Sequence, residues 1–213
     1  AMIEYLQAHY EVIVGMGVTD AALAIYKQLG FMYVHHLPRF VRVHHLDRIA
    51  PISEISPLGM ELINKGQTRR PVRFEVSAVG ADIAAEIASR HARTFNGISR
   101  AQRELQWRYW DHPVYEYQAF EVRANGAAAV VVMRLEDKPE IRLVHVVDVF
   151  GDLAAYPGVV AFVDEFCLDI EADASDVLCL SPQESHHFWS AGWFSTLDDG
   201  YVQVPNVFYP IEM

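Results

Sequence analysis

The sequence predicts an α+β fold: a mixed, mostly antiparallel sheet with helices on both faces. Three observations predict it. Asn125-Gly126 joins two alternating apolar runs, YEYQAFEVR and AAAVVVMRLE, and Asn-Gly is the strongest two-residue hairpin signal. A third run, IRLVHVVDVF, follows the turn EDKPE, so residues 115–149 read as a three-strand meander. Capped amphipathic helices stand before and after that meander, an order that makes an α+β layer.

The elements follow in chain order. Residues 11–18, EVIVGMGV, read as a strand leaving through Gly15 and Gly17. Thr19 and Asp20 cap a helix whose apolar face is Ala22, Ile25, Tyr26 and Leu29, and Gly30 closes it. Residues 31–43, FMYVHHLPRFVRV, are extended and interrupted by Pro38. Residues 47–71 are punctuated by Pro51, Ser53, Pro57, Gly59, Gly66 and Pro71 and read as a linker with a helical turn near 60–64. A second unit starts at Val72. It opens with the strand RFEVSAV, a helix from Asp82 to about Arg93, and a helix capped by Ser99 that ends at Asp111-His112-Pro113. After the meander, GDLAAYPG (151–158) is a loop, and an amphipathic helix starts near Val159. The buried strand DVLCLSP, a short helix ending at Gly192 and a strand in PNVFYPIE complete the chain. The strand–helix–strand around Val159 should be a right-handed crossover that makes one parallel pair. The organisation expected is thus a partial unit over 1–46, a linker over 47–71 and a domain over 72–213.

Composition narrows the function. The 213 residues are 52% hydrophobic, enough to build a core, so disorder is excluded as the main description. Lys+Arg 17 against Asp+Glu 28 gives a net charge of −11, the wrong sign for a surface that tracks phosphates, so no nucleic-acid partner is expected. No apolar run approaches the ~20 residues of a spanning helix, and the acidic N-terminus is not a signal peptide. Cys167 and Cys179 sit in apolar contexts and read as reduced buried thiols of a cytoplasmic protein. The pairs His35-His36, His44-His45 and His186-His187 lack partners at ligand spacing, so no metal is expected.

Residues 11–31 and 176–194 echo each other. Each runs from a charged residue through an apolar strand and a capped helix to Gly-aromatic, with an aromatic four positions before the glycine: Tyr26 before Gly30, Phe188 before Gly192. The stretch AALAIYKQLGF resembles the late helix and following strand of the GNAT family of N-acetyltransferases. The element order of residues 72–213 resembles a whole domain of that family, and WRYWDHPVYEYQAFEV is similar to a stretch of its two-domain bacterial members. The resemblance implies a GNAT-like fold preceded by the C-terminal half of a second such unit. It also implies N-acyl transfer from acetyl-CoA to a small amine or amino sugar. The alternative is a catalytically degenerate relative acting as a binding or self-association module.

The family binds the cofactor pyrophosphate on backbone N–H groups of a loop patterned Gln/Arg-x-x-Gly-x-Gly/Ala. The corresponding loop here is 151–158, so Gly151, Asp152, Gly158 and Val159 are the candidate cofactor-binding residues. The warrant is the free N–H groups and dipole of a helix N-terminus. The loop departs from the pattern: it lacks the leading Gln or Arg, and Asp152 would repel a phosphate unless it points away. Tyr26 matches the tyrosine that often returns a proton to the leaving thiolate, or else it is a packed aromatic. Phe188, its counterpart, has no proton to give. Asp148, at the end of its strand, could accept a proton from an amine or cap the loop that follows. His145, three residues earlier, is expected on the opposite face by the period of two. Trp107, Tyr109, Trp110, Tyr115 and Tyr117 could stack on a sugar or pack together. The strand VIVGMGV, an open edge, leads to the expectation of a homodimer.

Overall fold

The computed structural model describes residues 2–10, 13, 18–34, 37–66, 71–91, 100–179, 181–195 and 202–203. Most of the strand expected over 11–18, the Ser99 cap and the strand of the PNVFYPIE tail lie outside them. The chain divides into two compact units, Ala1–His36 and Leu37–Met213.

The first unit holds helices α1 (Met2–His9) and α2 (Asp20–Gln28). Thr19 caps α2 by accepting from the N–H of Ala22, and Gly30 ends it with φ +83°, a left-handed conformation that favours glycine. Gln7 donates to the carbonyl of Leu29 and ties the two helices.

The second unit runs as β1 (Arg39–Val43), α3 (Leu46–Ile49), β2 (Glu54–Ile55), α4 (Pro57–Gly66), β3 (Glu75–Ala78), α5 (Ala81–His91) and α6 (Gln102–Leu105). It continues through β4 (Gln118–Ala124), β5 (Ala127–Lys138), β6 (Ile141–Gly151), α7 (Tyr156–Asp169), β7 (Ala174–Leu178), α8 (Pro182–Ser190), β8 (Phe194–Ser195) and β9 (Val202–Gln203). Among these residues the main sheet has seven strands in the order β3-β4-β5-β6-β7-β1-β8. Every pair is antiparallel except β6 with β7, the parallel pair expected from the sequence. The hairpin turns at Asn125 (φ 53°) and Gly126 (φ 76°), as an Asn-Gly pair allows.

Helices cover both faces, which is why the central run Ala129–Met133 is apolar throughout rather than alternating. On one face, Val122, Val131, Met133, Val144 and Val146 pack under Val159, Val163 and Cys167 of α7 and Phe188 of α8. On the other, Val130, Val132 and Phe150 pack under α5, α6 and Tyr109. Farther along that second face, Val41, Val43 and Leu143 meet Ile49 of α3 and Ile63 of α4.

Two features differ from the sequence reading. Residues Arg39–Val43, expected with the N-terminal unit, form an interior strand of the main sheet between β7 and β8. All five are buried. Arg39 pairs with Asp176 at 2.6 Å, and the same carboxylate accepts from His145 Nδ1 at 2.6 Å, so one buried charge network ties β1, β7 and β6. Arg42 donates to the carbonyls of Ala191 and Gly192 past the end of α8, where a cation complements the helix dipole. The second difference is the stretch 47–71, expected as a linker. Two of its prolines stand at helix starts, Pro51 in a short turn and Pro57 at the head of α4, where a missing N–H leaves no bond unmade.

Candidate functional site

A β-bulge makes the site. Val132 of β5 faces Asp148 of β6 and Met133 faces Val146, so Val147 is an extra residue on β6. The bulge has two consequences. It puts His145, opposite Arg134, and Asp148, opposite Val132, on the same face of the sheet, against the expectation from simple alternation. It also bends β6 at the point where β6 and β7 part. Their pairing stops at Val146 and Val177, whereas β6 continues along β5 to Gly151. The fork between the two strands is a cleft of about 290 Å³ lined by Arg100, Asp148, Tyr156, Cys179, Glu184 and Phe188, among others.

Asp148 holds one side of the cleft. Arg100 grips it with two bonds, Nε to Oδ2 at 3.1 Å and Nη2 to Oδ1 at 2.8 Å, and Tyr109 donates its hydroxyl to Oδ2 at 3.0 Å. Burial opposes the Arg100 charge, but the bond and charge of Asp148 outweigh it and hold the guanidinium protonated. Burial, then Asp148, raises the Tyr109 hydroxyl and keeps it a donor. Both Asp148 oxygens are thus engaged, an arrangement suited to fixing the wall of the cleft rather than to taking a proton.

The other side of the cleft comes from the head of α7, the end of β7 and the first turn of α8. Tyr156, fully buried, donates its hydroxyl to the carbonyl of Val149 at 3.2 Å. Glu184 accepts from the thiol of Cys179 at 3.7 Å and lies beside the Tyr156 hydroxyl. Burial pushes Glu184 above the ordinary carboxylate range, against the neighbouring Cys179 thiol and Tyr156 hydroxyl, which favour ionisation. Burial and then Glu184 push the Cys179 thiol up to about 11, so it is a poor nucleophile. Ser181 caps α8 by accepting from the N–H of Glu184, which fixes the helix that carries the acid.

The candidate cofactor residues take up packing and capping positions. The loop is a short 3-10 turn, Leu153–Ala155, running directly into α7, which starts at Tyr156 rather than near Val159. Gly158 is therefore helical, and a side chain there would collide with Ala124, so the glycine lets α7 lie close on β4. Gly151 has φ +129°, and a Cβ would stand 2.6 Å from the Cα of Ala129. Val159 is wholly buried in the core. Asp152 turns its carboxylate inward on the loop, accepting from the N–H of Ala154 at 2.9 Å, while its own N–H bonds to Ala128. A carboxylate of the chain itself thus occupies a donor at the head of the helix.

Tyr26 belongs to the first unit, half-buried with its ring edge-on to Phe31 at 5.2 Å. Asp148 belongs to the second. Phe188 is a core residue, stacked on Phe40 and edge-on to Trp193. The aromatic group largely packs on itself: Tyr109 meets Trp110 and Tyr117, and Tyr115 lies against Tyr117 and the guanidinium of Arg134. Trp107 stands 74% exposed. Arg100, Tyr156 and Glu184 are cleft residues the sequence reading did not single out, and Cys179 was read only as a buried thiol. Tyr156 carried one usable signal, its place immediately before a proline at a helix start. Arg100 carried none.

Comparison with known proteins gives a distant picture. No family model and no curated protein matches the chain. Among solved structures, one similar chain is a conserved protein of unknown function from Staphylococcus epidermidis. It is 12% identical with a TM-score of 0.47, over 91% of this chain and 72% of that one. Another is an aminoglycoside acetyltransferase from an uncultured soil metagenomic sample, solved with trehalose. It is 10% identical with a TM-score of 0.40, over 65% of this chain and 97% of that one.

Proposed function

We propose that residues 37–213 form a catalytically degenerate acyltransferase-type unit that works as a small-molecule binding module, its site being the cleft in the sheet fork. The sequence resemblance to the GNAT family supplies the acyltransferase part of this reading. The observation that carries the degenerate part is the bond from the Ala154 N–H to Asp152. A pyrophosphate entering the loop would have to displace that carboxylate and then sit beside its charge, which at this range is strongly unfavourable. The glycines that would let a phosphate approach are spent on close packing.

The second reading, N-acyl transfer from acetyl-CoA to a small amine or amino sugar, is favoured by one feature. The cleft is lined by hydroxyl, carboxyl and thiol groups that could polarise or protonate a bound group. Calorimetric titration with acetyl-CoA separates the two. The degenerate reading expects no saturable heat at ligand concentrations up to about 1 mM, a free energy of binding weaker than about −4 kcal/mol. A dissociation constant in the low micromolar range would overturn it in favour of the transferase.

A further inference from the structure

Helix α2 and the turn after it repeat α8 and its turn bond for bond. Thr19 and Ser181 each accept from the N–H three residues on, at 3.4 Å, and each opens a helix of nine residues. Gly30 and Gly192 end the two helices with φ +83° and +86°. The residue after each glycine donates back to the carbonyl of an aromatic residue at 3.1 Å, Phe31 to Tyr26 and Trp193 to Phe188. The rings joined in this way meet edge-on, with centroids 5.2 Å and 5.0 Å apart.

In the second unit the motif is seated on a strand. β8, the two residues after Trp193, pairs antiparallel with β1: Ser195 stands opposite Phe40 and Phe194 opposite Val41. Phe40 also stacks on Phe188. The seat is therefore an aromatic–valine dipeptide on an antiparallel strand. By the same offset, Met32 and Tyr33 of the first unit hold the places of Phe194 and Ser195. The first unit has no strand among its described residues, and Met32 is 97% exposed and Val34 56%. Yet the segment carries an aromatic–valine dipeptide of its own, Tyr33-Val34. We propose that residues 31–34 pair antiparallel with the same residues of a second copy of this chain, about a two-fold axis at Tyr33, so that each copy's Tyr33-Val34 seats the other's motif.

The register follows from the repeat. Tyr33 stands opposite Tyr33 of the second copy and Met32 opposite Val34 of the second copy, as Ser195 stands opposite Phe40 and Phe194 opposite Val41. Residues 32 and 34 share one face of an extended strand and residue 33 takes the other, so the pairing is consistent with a two-fold axis normal to the strands. Tyr33 lies on the α2 side, where the Lys27 ammonium is 5.6 Å from its ring centroid, just as Phe40 lies on the α8 side. Met32 and Val34 meet on the opposite face, apolar against apolar, and the sequence FMYV brings no like charges together. With the strand backbone, the exposed parts of Ile25, Met32, Tyr33 and Val34 amount to roughly 500 Å² per copy and about 1,000 Å² in the pair, the least a specific interface needs. The dimer is accordingly a weak one, half-formed at tens of micromolar.

The test is sedimentation equilibrium of the full chain from about 5 to about 300 µM, with Met32→Lys, Val34→Glu and a one-to-one mixture of the two. Both side chains are exposed, so neither substitution disturbs a core. The wild type should pass from monomer to dimer across that range, and each variant alone should dimerise at least tenfold more weakly. In the mixture a hybrid dimer sets the introduced lysine opposite the introduced glutamate and leaves the other Met32–Val34 pair intact. It should form about fivefold more tightly than either variant by itself. A wild type that stays monomeric overturns the proposal, leaving the segment to a strand of some other protein. A dimer indifferent to both substitutions overturns it too, since the contact would then lie elsewhere, as at the open edge β3. A mixture no tighter than its components removes the register on which the proposal stands.

Discussion

Asp152 and Glu184 show how one carboxyl differs from another by its neighbours. Asp152 closes a turn with its own charge, and Asp152→Ala should lower stability by about 1 kcal/mol in urea denaturation, the usual cost of a lost cap. Glu184 sits beside a thiol and a phenol in a cleft that burial makes inhospitable to charge. The unfolded chain releases its proton near the ordinary glutamate value of about 4.3, and the folded chain holds it longer. Its stabilising effect is therefore complete below that value and declines as pH rises through the raised folded value. Melting curves over a pH series should show the wild type falling progressively behind Glu184→Gln as pH rises. A constant difference would contradict the assignment. At this scale the sequence was legible where a residue acts on near neighbours: Thr19 caps as its position suggests, although Ser181, read as part of a strand, caps as well. It was silent on the pairing of Arg100 with Asp148, which spans 48 positions and depends on the sheet.

The elements whose boundaries sequence could fix are those with local signals, the Asn-Gly hairpin and the helix after Thr19, whereas the strand read over DVLCLSP runs from Ala174 to Leu178. The bulge at Val147 was not legible. In LVHVVDVF apolar residues run through both registers, so nothing marks the extra residue that brings His145 and Asp148 to one face. The start of α7 was displaced for a related reason. A glycine in a turn and a glycine at a helix–sheet contact look alike in sequence, and Gly158 is the second kind. Gly158→Ala should therefore cost about 1–3 kcal/mol by overpacking against Ala124. A substitution that leaves the melting temperature unchanged would mean that α7 does not lie as close to β4 as described.

At the level of the molecule, the pairing of β1 between β7 and β8 joins residues far apart in the chain, and composition cannot show such a pairing. It makes a clear prediction for fragments. Residues 37–213 should unfold in one cooperative transition. Residues 72–213 should not, because removing β1 leaves Asp176 without Arg39 and opens a sheet edge beside β7. Cooperative melting of the shorter piece would contradict the role given to β1. No helix among the described residues is long and apolar enough to cross a membrane. At the head of α7 the chain's own carboxylate takes an N–H that, in the reading proposed above, would otherwise be open to phosphate. The most direct measurement is the backbone amide resonance of Ala154 followed while coenzyme A is added. The resonance should stay in place, the N–H bonded to Asp152, up to millimolar ligand. A saturable shift of Ala154, together with its neighbours in 151–158, would contradict that reading.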